Sequence, residues 1–281
     1  MKTIFRNLGF GALMTGVALV SGTTALAQDV CAEVEAKQAL YAQFTANFDK
    51  KEIEKRKVAV DAGKQYVQKY GACEDDKAIV TYLNQNVPPM EKAIRDAEVG
   101  AARNAILVRF DTAAKSKNVP ETLSSGREIL NRESDFADVV LDVNVALATA
   151  GFEQAIAATP VDTYNADTVN YAKSAIQRIE SGKTSKNWGV WSYNIKPADK
   201  TKFSDEKSYA LGALNYMVGY VTYFREGKNS AEKKKEALPY FYKSVQYNSF
   251  SKTDPAVYQA IGAWYLDEAI KIDKERQRLL V

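Results

Sequence analysis

The chain has 281 residues, with 38 Lys and Arg against 35 Asp and Glu, and no histidine. Without an imidazole it can build neither a Ser-His-Asp or Cys-His catalytic site nor a His-ligated zinc or haem site. So even a charge balance lacks the concentrated basic face that nucleic-acid binding needs, and no cofactor is expected.

Residues 1–27 read as a cleaved secretory signal. Lys2 and Arg6 give a positive start, and an apolar run from Leu8 to Val20 follows. That run is shorter than the roughly 20 residues a spanning helix needs. Ala25-Leu26-Ala27 is a small-x-small cleavage site, which makes Gln28 the expected mature N-terminus. Lys2 and Arg6 leave with the signal, so 36 basic residues face 35 acids in the mature chain. Val30 stands before Cys31 where a lipid-attachment site needs a small residue, so lipidation is not expected. No later stretch is long and apolar enough to cross a membrane, and export to the periplasm or cell envelope is the expected destination. There the two cysteines, Cys31 and Cys73, are expected to form a structural disulfide.

The rest reads as all-α, because apolar residues recur at steps of three and four almost throughout. Residues 28–87 form an N-terminal hairpin region. Leu40, Phe44 and Phe48 line one helix; Ile53, Val58, Ala62, Tyr66 and Tyr70 line the next, with Gly71 as a left-handed stop. A short helix over about 75–83 is expected to break at Asn86-Val87-Pro88-Pro89. Central helical repeats occupy 88–181. A long helix over about 90–114 carries a small-residue stripe, Ala93, Ala97, Ala101, Ala105 and Val108, suited to close packing. Pro120 opens another helix. Phe136, Val139, Val140, Val143 and Leu147 mark the next, and Ala172, Ile176 and Ile179 the one after, which stops at Ser181-Gly182.

Residues 182–203 have little periodicity, and an irregular stretch of that length inside a compact domain is often functional. Residues 204–281 resume the helical pattern. Tyr209, Ala213, Tyr216, Tyr220 and Tyr223 lie on one flank, and Leu211, Leu214, Val218 and Val221 on the other. A helix apolar on both sides must be sandwiched between neighbours. Pro239 fixes an expected helix boundary near Ala237. The last helix carries the stripe Tyr258, Ile261, Tyr265, Ala269 and Ile272.

The pattern Tyr258-x-x-Ile261-Gly262-x-x-Tyr265, preceded by Ala237, Phe241 and Ser244, resembles the helix signatures of the tetratricopeptide repeat (TPR) family. Val218-Gly219 echoes Ile261-Gly262. The resemblance is good over 205–272, partial around 31–70 and 134–180, and weak over 88–133. In the first hairpin Tyr41 occupies the glycine position. The resemblance implies antiparallel helix hairpins stacked as a TPR-like α-solenoid with a concave groove, and a non-catalytic scaffold or adaptor that binds a protein or peptide. It also nominates Asn215 as a polar group that meets a peptide backbone.

Several residues are candidates for binding, each with a structural alternative. Trp188, Trp191 and Tyr193, beside Asn187 and Asn194, either stack on a sugar or anchor a partner, or else plug a gap in the stack. The first option carries the rival reading, a helical solute- or glycan-binding protein. Tyr216 and Tyr220, with the other tyrosines of their stripe, either line a groove or fill the core. The acidic run Glu133, Asp135, Asp138 and Asp142 lacks a calcium-loop pattern and fits helix-start carboxylates. Lys233-Lys234-Lys235, diluted by Glu232 and Glu236, reads as a solvated loop.

Overall fold

The computed structural model describes residues 30–280. The signal expected over 1–27, with its cleavage site, lies outside them. The described residues hold nine α-helices: α1 (Val34–Phe48), α2 (Ile53–Tyr70), α3 (Lys77–Lys115), α4 (Val119–Asn131), α5 (Val140–Ala155), α6 (Asn165–Glu180), α7 (Glu206–Tyr220), α8 (Ala231–Gln246) and α9 (Pro255–Leu279). The strands β1 (Gly189–Val190) and β2 (Tyr193–Asn194) pair between α6 and α7. The fold is all-α and built from successive helix pairs. The chain divides into two compact units, and the division falls within α3, after Ala97.

The first unit packs α1 on α2 and the start of α3. Phe44, Tyr66, Tyr70, Leu83, Val87 and Met90 form its centre. The expected Cys31–Cys73 disulfide is present and ties the segment before α1 to the end of α2. Polar contacts reinforce it. Lys37 Nζ donates to the Cys31 carbonyl at 2.6 Å and pairs with Asp76 at 2.5 Å, and the Tyr66 hydroxyl donates to Asp76 at 2.7 Å. Glu33 accepts from Lys69 and Tyr70. Burial alone would raise the Asp76 pKa, but the Lys37 and Tyr66 hydrogen bonds and the Lys37 charge outweigh it and hold the carboxyl below its ordinary value. Gly71 ends α2 in the right-handed conformation, not the left-handed one expected.

Two expected helix boundaries are absent. The helix does not break at Pro88-Pro89; α3 runs from Lys77 to Lys115 with both prolines inside. Nor does α8 begin near Ala237; it starts at Ala231, where the Ser230 side chain caps the Lys233 amide, and Pro239 sits in its interior. The physical reason is shared. All three prolines are exposed, and so are Asn84, Gln85 and Lys235, whose carbonyls lose their helical donors. Water can satisfy those carbonyls, while the opposite helix face stays packed through Leu83, Val87 and Met90 in one case and Ala237, Leu238 and Phe241 in the other. The small-residue stripe of α3 is corrected as well. Ala97, Ala101, Ala105 and Val108 are exposed, and no residue from 95 to 105 is buried.

In the second unit each helix from α4 onward packs on the next, through α9. α5 is enclosed by α4, α6, α7 and the β-hairpin. It buries residues on every side, including Val140, Val143, Leu147 and Phe152. α7 is likewise sandwiched between α6 and α8, as its two apolar flanks require. Ser181-Gly182 does stop α6, with Gly182 at φ 95°. α9 buries Val257, Ala260 and Trp264, and its Tyr258, Tyr265 and Ile272 stripe faces solvent.

The two repeat-signature glycines separate here. A Cβ on Gly219 would lie 2.8 Å from the Phe241 ring, whereas one on Gly262 would meet nothing within 4 Å. Gly219→Ala is therefore expected to destabilise the protein by about 1–3 kcal/mol through overpacking. Gly262→Ala should stabilise it by about 0.5–1 kcal/mol through helix propensity. Thermal denaturation of the two variants checks this, and equal shifts would refute the packing difference. Asp76 gives a pH dependence. Its depressed folded pKa means its stabilisation is complete above the unfolded value of about 4 and is lost as pH falls through the folded value. The stability gap between the native chain and Asp76→Asn should shrink between about pH 7 and about pH 2. A gap that stays constant would mean that the Lys37–Asp76 pairing contributes nothing.

Candidate functional site

The segment between α6 and α7 is ordered from beneath by α5. Asp142, near the start of α5, accepts from the Ser185 hydroxyl and, at 2.9 Å, from the Gly189 amide. The Ser185 oxygen in turn accepts from the amides of Asn187 and Trp188, each at 2.9 Å. The Ile195 amide closes the segment onto the Trp188 carbonyl at 2.7 Å. Gly189 pairs with Asn194 and Val190 with Tyr193 in an antiparallel hairpin. Gly189 has φ 117°, and a Cβ there would lie 2.2 Å from the Tyr193 carbonyl, so only glycine fits. Trp188 and Trp191 also adopt positive φ, 49° and 46°, which is rare and costly for bulky side chains.

This geometry gives the three aromatics different fates. Trp188 is 3 % exposed, within the core of α5, α6 and α7, and its indole N–H donates to Glu206 at 3.2 Å. Tyr193 is fully enclosed, packed against the α3–α4–α5 core. Burial, with the charge of Glu153 as a smaller contribution, pushes its phenol pKa up. Trp191 alone stands out, 53 % exposed, with Lys115 Nζ 5.3 Å from its ring centroid. Its carbonyl accepts from the Asn194 side chain.

Trp191 borders a cleft of about 390 Å³ shared with Asp111, Asn187, Val190, Asn194 and Lys196. The Asp111 carboxylate has no hydrogen-bond or ion-pair partner among the described residues. The cleft thus sets an aromatic face beside a carboxylate, an ammonium group and two amides.

The other sequence candidates lie away from the cleft. Asn215 is fully buried, and its side-chain amide donates to the Leu211 carbonyl at 2.8 Å, one turn back in α7. Tyr216 is buried and Tyr220 half-buried. Their rings pack edge-on against Phe152, and Tyr216 also meets Phe250. Asn215 and Tyr216 therefore pack the interior, and Tyr220 lies at its margin. The acidic run is dispersed. Glu133 pairs with Arg178, Asp135 with Arg132 and Asp138 with Arg103, while Asp142 anchors the hairpin. The Lys233-Lys234-Lys235 run lies in the first turns of α8 rather than in a loop, because Ser230 caps the helix just before it, and Lys233 pairs with Glu236 and Glu226.

Sequence reasoning missed the hairpin, the anchoring role of Asp142, and the contributions of Asp111, Lys115 and Lys196. The β-prone run Val190-Trp191-Ser192-Tyr193, opened by Gly189, was an available hairpin signal. Nothing local signals that Asp142 meets Gly189, 47 residues away.

No family model, curated protein or solved structure matches the chain.

The different burial of the two tryptophans has a measurable consequence. Trp188→Ala should cost about 3–5 kcal/mol of stability. Trp191→Ala should change it by no more than about 0.5 kcal/mol. Chemical denaturation monitored by circular dichroism distinguishes them, and comparable losses would contradict the burial assignment.

Proposed function

We propose that the chain is an exported, non-catalytic helical-repeat scaffold or adaptor of the TPR-like kind, working in the periplasm or cell envelope and binding a protein or peptide partner. The observation that carries this reading is the contrast between the two signature glycines. Gly219 on α7 is covered by Phe241 of α8, whereas Gly262 at the corresponding position of α9 is open. Tyr258, Tyr265, Leu266 and Ile272 of the same helix are exposed. The uncovered apolar face of α9 suits the docking of a partner helix with an aromatic side chain, seated as Phe241 is seated on Gly219.

Export is supported by the expected signal over 1–27 and by the Cys31–Cys73 disulfide, which persists in an oxidising compartment. Among the described residues no helix is long and apolar enough to cross a membrane.

The test uses the chain from Gln28 as bait in an envelope extract, beside a Tyr265→Glu/Ile272→Glu version. Both positions are exposed, so the variant should keep its helical content and melting temperature. A scaffold should retain a protein that the variant loses at least about tenfold, since each exposed anchor contributes on the order of 1 kcal/mol or more. Cross-links from that protein should map to α9. Identical capture by both baits would remove α9 as the docking face and the support it gives this reading.

A further inference from the structure

The Trp191 cleft points to an activity separate from protein scaffolding. We propose that it binds a short saccharide, with one sugar ring stacked on the Trp191 indole. Three independent features lead there.

The first is the tryptophan itself. A large aromatic that is 53 % exposed would ordinarily be buried to gain apolar contact. Here the fold holds it out. Two residues of the segment, Trp188 and Trp191, sit at positive φ, and the turn they make is pinned by Asp142, Ser185 and Glu206. The buried Trp188 and Tyr193 on either side remove the freedom of the hairpin to fold Trp191 inward. The aromatic face is therefore preorganised, which lowers the ordering cost of binding.

The second is the polar lining. The Asp111 carboxylate accepts hydrogen bonds, the Lys196 ammonium donates them, and the Asn187 and Asn194 amides do both. Sugar hydroxyls donate and accept in the same way, and their ring C–H faces are apolar. An aromatic platform edged by mixed donors and acceptors complements that chemistry. An extended apolar ligand would leave the Asp111 and Lys196 charges desolvated and unpaired. A nucleic-acid strand would need a continuous basic track, and Asp111 interrupts the positive charge of Lys115 and Lys196.

The third is size. The cleft, about 390 Å³, falls within the range of small-molecule sites and holds roughly one or two sugar rings. A protein segment would need a far larger contact surface.

The experiment is a titration of the full mature chain with maltose, cellobiose and diacetylchitobiose, followed by tryptophan fluorescence and by calorimetry. The chain has three tryptophans, so Trp191→Ala and Asp111→Asn are titrated alongside, with circular dichroism to verify that both stay folded. At least one of these saccharides should give a saturable change below about 10 mM. Trp191→Ala should abolish it, and Asp111→Asn should weaken it about tenfold. Absence of a saturable change with all three sugars would overturn the proposal. So would a change that persists in Trp191→Ala, which would place the sugar elsewhere. The scaffold reading stands or falls separately, because its variants lie on α9 and leave this cleft intact.

Discussion

Helices α5 and α7 have no polar side to offer water. α5 buries residues around its whole circumference, and α7 buries Leu211, Leu214 and Val218 on one flank and Ala213 and Tyr216 on the other. Each can be stable only with neighbours on both sides, because burial of that apolar surface is the main term opposing the entropy cost of ordering the chain. This constraint builds the second unit. α4 and α6 flank α5, and α6 and α8 flank α7, so consecutive pairing becomes a stack. α9 escapes it, since one buried face of Val257, Ala260 and Trp264 suffices to hold it.

The hairpin is a second consequence of the same enclosure. One side of α5 is covered not by a helix but by the short strands, and Asp142 supplies the polar bond that fixes them. A carboxylate aimed at a backbone amide and a serine hydroxyl makes strong charge-assisted hydrogen bonds. Those bonds offset part of the backbone strain at Trp188 and Trp191. An acidic run that looked like a charged helix start therefore contains the anchor for a segment with two positive-φ tryptophans. The exposed Trp191 and the cleft beside it depend on a residue that never faces the cleft.

Much of this was legible in the residues. The all-α class, the sandwiched α7, the stop at Ser181-Gly182 and the Cys31–Cys73 bridge follow from periodicity, from glycine chemistry and from there being only two cysteines to pair. The prolines misled because local rules treat a missing amide as a broken helix. On an exposed face the orphaned carbonyl meets water, and the packed face keeps the helix intact. The tyrosine stripe of α7 was ambiguous for a related reason. Helical spacing shows that Tyr216 and Tyr220 share a face, but not whether Phe152 and Phe250 will cover it.

By itself, then, the sequence determined the all-α class and most of the apolar faces, because these depend on spacing along one segment. The tertiary structure decided which apolar faces find a partner. Phe241 fills the space over Gly219 and nothing fills that over Gly262. Only the fold could separate buried Trp188 and Tyr193 from exposed Trp191, since their fates rest on Asp142, Glu206 and the α5 surface, far away along the chain. Contacts between such distant residues leave no local pattern, and they set both the open face of α9 and the cleft at Trp191.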